Sequence, residues 1–368
     1  MNEPIFIARQ DTLEQEILPA HWLSQYKLFG EESYTFQDKG IWKKLCMSSA
    51  AANDRDIHAE ALEEMLTTFS AEHTGKWMLL VYGTNAAVLE GLATMAAIAA
   101  NGTAMAAVAG NALLMHAITN SQTAMRAIAN SQTAMQRIAN STTAMDAIGG
   151  SKIARDAVQA SPYYDAKIKE NDMAIAKLVV GFANLESARY SGCAGMAADS
   201  TAMTAIAASS AAMTAIAASS TAMTAVAASG VALQAIAKAY KQTADMLKFL
   251  QAVNASDTLI KSIYNTLTKA TTLFAAAQLG AQDDVESANS WATTSAAPNA
   301  FLACACGYYS SGNSVNVTYN GTVIAQKKTG TAKPGSVTST NVNAITMAPS
   351  TFTENGDGYL AVQKFTAK

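Results

Sequence analysis

The sequence predicts a multidomain, mainly α chain. It has an N-terminal mixed α/β domain, an alanine-rich helical stem of decapeptide repeats and a small C-terminal antiparallel β-sandwich. Three observations predict this. Bulky residues recur every ten positions through two alanine-rich arrays. The region before the arrays holds three of the four histidines and an ordinary mixture of charged and apolar residues. The region after them alternates apolar and polar residues between turn signals. The boundaries fall at 1–84 (N-terminal domain), 85–160 (first array), 161–195 (helical interruption), 196–240 (second array), 241–287 (helical segment) and 288–368 (β domain).

In the N-terminal domain, Asp54 to Phe69 (DRDIHAEALEEMLTTF) predicts an amphipathic helix with acidic residues on one face. Lys76 to Tyr82 (KWMLLVY) is a short apolar run closed by Gly83 and predicts a buried strand. The first array then aligns in tens. One column is Met95, Met105, Met115, Met125, Met135 and Met145; the other is Ile98, Val108, Ile118, Ile128, Ile138 and Ile148. A worn copy, SKIARDAVQA, carries Arg155 and Val158 in these columns. After Pro162, Asp165 to Arg189 predicts a conventional helix broken near Gly181. The second array pairs Met203 with Ile206, Met213 with Ile216, Met223 with Val226 and Leu233 with Ile236. So strict a period means stacked structural units.

Beyond the arrays, Leu247, Leu250, Val253, Leu259, Ile263 and Leu267 keep helical spacing, and Asn254, Ser256 and Asp257 supply a break and a cap. Gly280 to Ala300 is small and polar and predicts a linker. VNVTY, Asn320-Gly321 and TVIA together predict a two-residue hairpin, because both central turn residues need positive φ. Pro334-Gly335, Pro349 and ENGDG mark further turns, and Tyr359 to Phe365 predicts a final strand.

Within a repeat, Met and Ile stand three apart and share a helix face, in an alanine background that favours helix. Ten residues turn a straight helix through about 1000°, about 80° short of three full turns, so its apolar stripe would slip at every copy. Asn-Ser or Ser-Ser pairs at the boundaries (Asn120-Ser121, Asn130-Ser131, Asn140-Ser141, Ser209-Ser210) are helix-capping types. The expected solution is two-turn helices separated by capped bends and stacked along one axis. A β-solenoid fits worse, since alanine suits strands poorly. Two bulky side chains in ten residues bury little apolar surface. Contacts from neighbouring chains in a homotrimer are therefore the expected complement, with a self-folded monomeric stack as the alternative.

Composition excludes several classes. The net charge of -3 argues against a nucleic-acid binder. Two stretches without charged residues, Gly91 to Thr119 and Ser200 to Ala237, reach membrane-spanning length, but they are mostly Ala, Ser, Thr and Asn, so no membrane span is expected. The N-terminus lacks the pattern of a secretory signal. Cys46, Cys193, Cys304 and Cys306 are too scattered for a disulfide framework and fit a reducing compartment. No catalytic, cofactor-binding or metal-ligating pattern emerges. His21, His58, His73 and His116 are scattered, Cys304 and Cys306 are a lone pair of thiols, and Glu60, Glu63 and Glu64 read as a solvated helix face. The Met columns read as packing. Trp291, Tyr308, Tyr309 and Tyr319 are candidate receptor contacts, since aromatic rings stack on sugars, with core packing as the plainer reading.

The phrase (S/T)-T-A-M-x-A-(I/V)-A-x-S, as in Ser141 to Ile148 and Ser200 to Ser209, resembles the phage tail repeat of tail fibres and related virion proteins of tailed bacteriophages. The resemblance covers roughly a third of the chain and brings no catalytic residues with it. It implies a non-enzymatic structural protein located in the virion and made in the host cytoplasm. The expected form is a tail fibre or tail-associated appendage whose stem joins an anchoring domain to an exposed one. The partners it implies are further copies of the chain, other tail or baseplate proteins and a host surface receptor. The alternatives are a receptor-binding protein that recognises a host glycan or protein through its C-terminal β domain, and a collar or head appendage. A bacterial surface adhesin and a depolymerase fit the sequence less well.

Overall fold

The computed structural model describes residues 58–59, 62–63, 66–67, 74–82, 84, 87–239, 243–283, 299–308, 314–327, 335–348, 350–355 and 358–368. It is mainly helical, with two small antiparallel sheets in its C-terminal part. The chain divides into two compact units, Met1–Ser191 and Gly192–Lys368.

In the first unit, helical residues occur at 58–59, 62–63 and 66–67. Helix α1 (Thr74–Tyr82) follows. The strand expected over Lys76–Tyr82 is thus corrected to a helix. A short apolar run does not distinguish the two, and the neighbouring backbone decides here. The amides of Thr74 and Gly75 donate to the carbonyls of Ala93 and Leu92. A Cβ on Gly75 would lie 1.9 Å from the Leu89 carbonyl oxygen, so this approach requires glycine. After a 3-10 turn (Ala87–Gly91) come α2 (Met95–Ala100), α3 (Gly102–Gly110), α4 (Ala112–Thr119), α5 (Gln122–Ala129), α6 (Gln132–Ala139), α7 (Thr142–Gly150), α8 (Lys152–Gln159), α9 (Tyr164–Lys167) and α10 (Asp172–Phe182).

Each repeat is one two-turn helix. Its break is a single residue in extended conformation, such as Asn101 (φ -93°, ψ 114°) or Asn111 (φ -97°, ψ 112°), which ends one helix and caps the next. Where the junction is Asn-Ser, the asparagine stays near the helical region and the serine is extended, as at Asn140 (φ -96°, ψ 0°) and Ser141 (φ -107°, ψ 116°). The bend between α3 and α4 is 99°. Three such bends bring the path round, so each helix lies on the third one before it: α5 on α2, α6 on α3, α7 on α4, α8 on α5. The unit is a solenoid with three helices, about thirty residues, per coil.

Each coil is covered by the next coil of the same chain, the arrangement held beside the homotrimer as the alternative. One expectation is corrected: the segment expected as an interruption, 161–195, continues the stack, with α9 against α6 and α10 against α7. The helix expected across Asp165–Arg189 is instead α9, then α10, then a 3-10 turn at Ser187–Arg189. Gly181 does not break α10. It lies in its last turn, where a Cβ would be 2.4 Å from the Gly149 carbonyl oxygen and 2.8 Å from its Cα. The chain reverses at Asn184, whose φ is 56°.

The second unit repeats the scheme with α11 (Cys193–Ala198), α12 (Ser200–Ala208), α13 (Ser210–Ala218), α14 (Ser220–Ala227) and α15 (Gly230–Lys238), then α16 (Ala244–Asn254) and α17 (Asp257–Lys269). Its bends are 101° between α12 and α13 and 94° between α14 and α15. Again every third helix stacks: α14 on α11, α15 on α12, α16 on α13, α17 on α14. The last coil therefore uses longer helices without the decapeptide wording.

Two antiparallel sheets follow. One has the order β1 (Phe274–Asp283), β7 (Gly358–Ala367), β2 (Ala300–Tyr308), β5 (Ala344–Met347); the other has β4 (Thr322–Lys327), β3 (Ser314–Tyr319), β6 (Thr351–Asn355). The expected hairpin is β3–β4, with φ of 49° at Asn320 and 73° at Gly321. The expected final strand lies within β7. The boundary at 288 is corrected: β1 already belongs to the sheet, paired with β7 from Phe274↔Ala367 to Asp283↔Tyr359. Alanine is a poor strand former, so this strand exists through pairing rather than propensity. Of the expected linker Gly280–Ala300, residues 284–298 lie outside those described. The sheets rest on the last coil. The Asn254 side chain acts as a short strand edge for β5, donating to the Ile345 carbonyl at 2.6 Å and accepting from its amide at 3.0 Å.

Gly181→Ala is expected to lower stability by about 1–3 kcal/mol, since the added methyl meets backbone that cannot yield. Gly110→Ala has open space at the same atom. It is expected to raise stability by about 0.5–1 kcal/mol. Urea unfolding of the two variants checks the contrast.

Candidate functional site: the inter-coil ladder of the stem

The most regular feature of the repeats is the way their coils are fastened. All eighteen Met and Ile or Val residues of the repeat columns, from Met95 to Val226, are buried, none more than 4% exposed. The structure adds two alanines per repeat that the spacing alone did not single out. Ala134 before Met135 and Ala139 after Ile138 are fully buried, as are Ala104, Ala124 and Ala144 at the equivalent of Ala134. The buried face is therefore A-M-x-x-I-A. Small side chains at its edges let successive coils approach closely, and a full-size residue there would overpack.

At five junctions, Ser131, Ser141, Ser151, Ser161 and Ser229, one serine hydroxyl makes two bonds. As acceptor it caps its own helix: Ala134 N donates to Ser131 Oγ at 3.2 Å and Ala144 N to Ser141 Oγ at 3.2 Å. As donor it reaches the carbonyl 32 residues earlier: Ser131 to Ala99 at 2.7 Å, Ser141 to Ala109 at 2.6 Å, Ser151 to Thr119 at 2.6 Å, Ser161 to Ala129 at 2.5 Å, and in the second unit Ser229 to Ala197 at 2.5 Å. These carbonyls sit in the last turns of helices, where no intrahelical amide is available. The bond thus satisfies a start and an end at once and fixes the register of one coil on the next.

The ladder is closed by different chemistry at its ends. Ser121 would reach residue 89, but its hydroxyl donates to the Glu63 carboxylate, which also accepts from Thr123 Oγ1 at 2.7 Å. Glu63 is therefore not the solvated residue expected from the sequence; it caps α5. In the last coil of the first unit, Lys177 is 1% exposed, and its ammonium donates to Asp146 and, at 3.1 Å, to the Ser187 carbonyl. Arg155, at the Met position of the worn copy, is buried, donates to the Gly149 carbonyl at 2.6 Å and lies 5.8 Å from the Phe182 ring centre. Burial holds its guanidinium below the usual pKa, with Asp156 acting the other way. In the second unit Thr266 Oγ1 donates to the Ala227 carbonyl at 2.8 Å, replacing the serine rung.

The remaining candidates separate. His58 is buried with its ring 5.3 Å from that of Tyr82. His116 is half-buried on α4, bonded to Asn120. Cys304 and Cys306 lie in β2 and are buried, and burial, then the neighbouring Cys306, pushes the Cys304 thiol well above its usual pKa. Among the described residues no three His, Cys, Asp or Glu side chains converge as metal ligands. No single described helix is long and apolar enough to cross a membrane, although three bent pairs pass by length and composition. Tyr319 is fully buried, which corrects its place among the receptor contacts: β3 turns it into the sheet core. Trp291, Tyr309 and the side chain of Tyr308 lie outside the described residues, as do His21, His73 and Cys46. Against known proteins, no family model matches the chain, and no curated protein matches it either.

Ser141→Ala is expected to cost about 1–3 kcal/mol, through loss of a cap and stranding of the Ala109 carbonyl. Exposed Thr142→Ala should stay within about 0.5 kcal/mol; thermal melts compare them. Tyr164, buried in α9, has its phenol pushed up to about 12 by burial and then by Asp165 and Glu170. Its protonated form is favoured by folding. That contribution is complete below the unfolded value near 10 and is lost as pH rises towards about 12. Burial also pushes Tyr82 well above its usual value, so an absorbance titration at the tyrosinate band should show buried tyrosines, Tyr164 among them, ionising together with alkaline unfolding.

Proposed function

We propose that the chain is a non-enzymatic structural component of a tailed-bacteriophage virion, a tail fibre or tail-associated appendage. The solenoid serves as a spacer between an anchoring end and an exposed end. The observation that carries this reading is the combination of the decapeptide wording with a stem whose repeats stack coil on coil. A fastening that adds the same length with each coil suits a protein selected for reach rather than for a reactive cleft. The partners in this reading are other tail or baseplate proteins at one end, a host surface at the other, and further copies of the chain, with a homotrimer as the proposed assembly. Because each coil is completed within one chain, such an assembly would join finished stems rather than fold them.

Two measurements test the reading. Particles purified from cells producing the phage should contain the protein, and a label on Lys368 should decorate a tail appendage in electron micrographs; absence from purified particles overturns the proposal. In dilution, the melting temperature of the stem should not change with protein concentration, because its contacts are intrachain, whereas an obligate trimer would melt lower when dilute.

A further inference from the structure

We infer that the groove between α4 and α7 is a binding site for a neutral, hydroxyl-rich ligand, a saccharide unit. The inference is independent of the virion assignment. The groove encloses about 540 Å³ and is lined by Ala112, His116, Asn120, Thr143, Asp146, Ala147, Gly150 and Ser151. That volume lies in the range of small-molecule sites.

Its polar groups are held in place from behind. Lys177, itself buried, binds Oδ1 of Asp146, while Oδ2 has no partner among the described residues. Asn120 Nδ2 donates to the His116 carbonyl at 3.0 Å and contacts His116 Nε2 at 3.2 Å. The Thr143 hydroxyl has no partner among the described residues. A fixed carboxylate, a hydroxyl, an amide and an imidazole therefore line one space whose other surfaces are the methyls of Ala112 and Ala147, Gly150, and Ser151, whose hydroxyl is held by the Thr119 carbonyl. The carboxylate's charge is already balanced by Lys177, so the groove presents oriented acceptors and donors without net charge. Adjacent hydroxyls on a pyranose ring match such a set, and the ring's C–H face matches the flat alanine surface.

The ion pair supports this reading. Burying an ammonium and a carboxylate is seldom a net source of stability, and apolar residues of similar volume commonly do as well. Here the pair fixes a carboxylate that lines the groove. It also stands where the array leaves its wording: His116 and Asp146 occupy the same repeat position thirty residues apart, and Gly149-Gly150 replaces the usual Ala-Asn.

Ligand-observed saturation-transfer NMR of the full chain with a panel of neutral mono- and disaccharides tests the site. At least one sugar is expected to receive saturation, and Thr143→Val, which removes one half-exposed hydroxyl, should weaken its binding by about fivefold or more. Ala147→Phe, filling the groove, should abolish it with the circular dichroism spectrum unchanged. The inference is overturned if no sugar in the panel is saturated, if Thr143→Val binds as the parent does, or if the signal survives in a folded Ala147→Phe variant.

Discussion

The structure depends on a hydroxyl that is used twice. A helix of two turns has almost as many unsatisfied backbone groups as satisfied ones, since four amides and four carbonyls are left over at its ends. A stem made only of such helices would strand a polar group at every bend. Serines at the extended junctions meet this by accepting from an amide ahead and donating to a carbonyl 32 residues behind, as Ser141 does with Ala144 and Ala109. Two residues more than a coil of about thirty is the offset between the start of one helix and the end of the helix beneath it. Remove the second bond and the bends remain, but the recurring polar link that sets the height of one coil on the next is lost.

The remaining regularities follow from that offset. Met and Ile fill the interior from each side, and their flanking alanines keep the coils close enough for a serine Oγ to touch a carbonyl at 2.5–2.7 Å. One-residue junctions use either asparagine or serine: Asn101 Oδ1 accepts from Thr103 and Ala104, both at 3.0 Å, and Ser151 Oγ accepts from Ala154 at 3.3 Å. Threonine and glutamine at the outer positions carry little of the fold, which is why those positions vary between copies.

The ten-residue period, the buried columns and the capped bends were legible in the sequence because each is local. The thirty-residue coil was not. Copies so alike give no means of telling whether a repeat touches the next one, the third one or another chain, and a homotrimer answered the thin core as well as a solenoid does. The informative residues were the exceptions. Arg155 in a Met column, Gly149 facing Gly181, and Lys177 thirty-one residues beyond Asp146 each make sense only if α7, α8 and α10 are neighbours. The helix at Thr74–Tyr82 and the alanine-rich β1 were misread for the opposite reason. Their local composition is ambiguous or misleading, and contacts far along the chain determine them. Of the groove, His116 was visible beforehand as a scattered histidine and Asn120 as a capping residue, with nothing to show that Asp146 lies across from them.

A stack of near-identical coils has a particular vulnerability: each coil is held by its neighbours, so the first and last are held from one side only. The chain answers with groups that the repeats do not contain. Glu63 accepts the bond that Ser121 has no carbonyl for, and Thr123 with it. Lys177 and Ser187 cover the last coil of the first unit. Asn254 and Tyr264 fasten the last coil of the second unit to the sheets, through Ile345 of β5 and Gln363 of β7. Charge and hydrogen-bonding chemistry are therefore concentrated at the ends and along one groove. Within the second unit, helices α12, α13 and α14 of the uncharged array are covered by α15, α16 and α17, and a surface that must only repeat needs no group that distinguishes one copy from another.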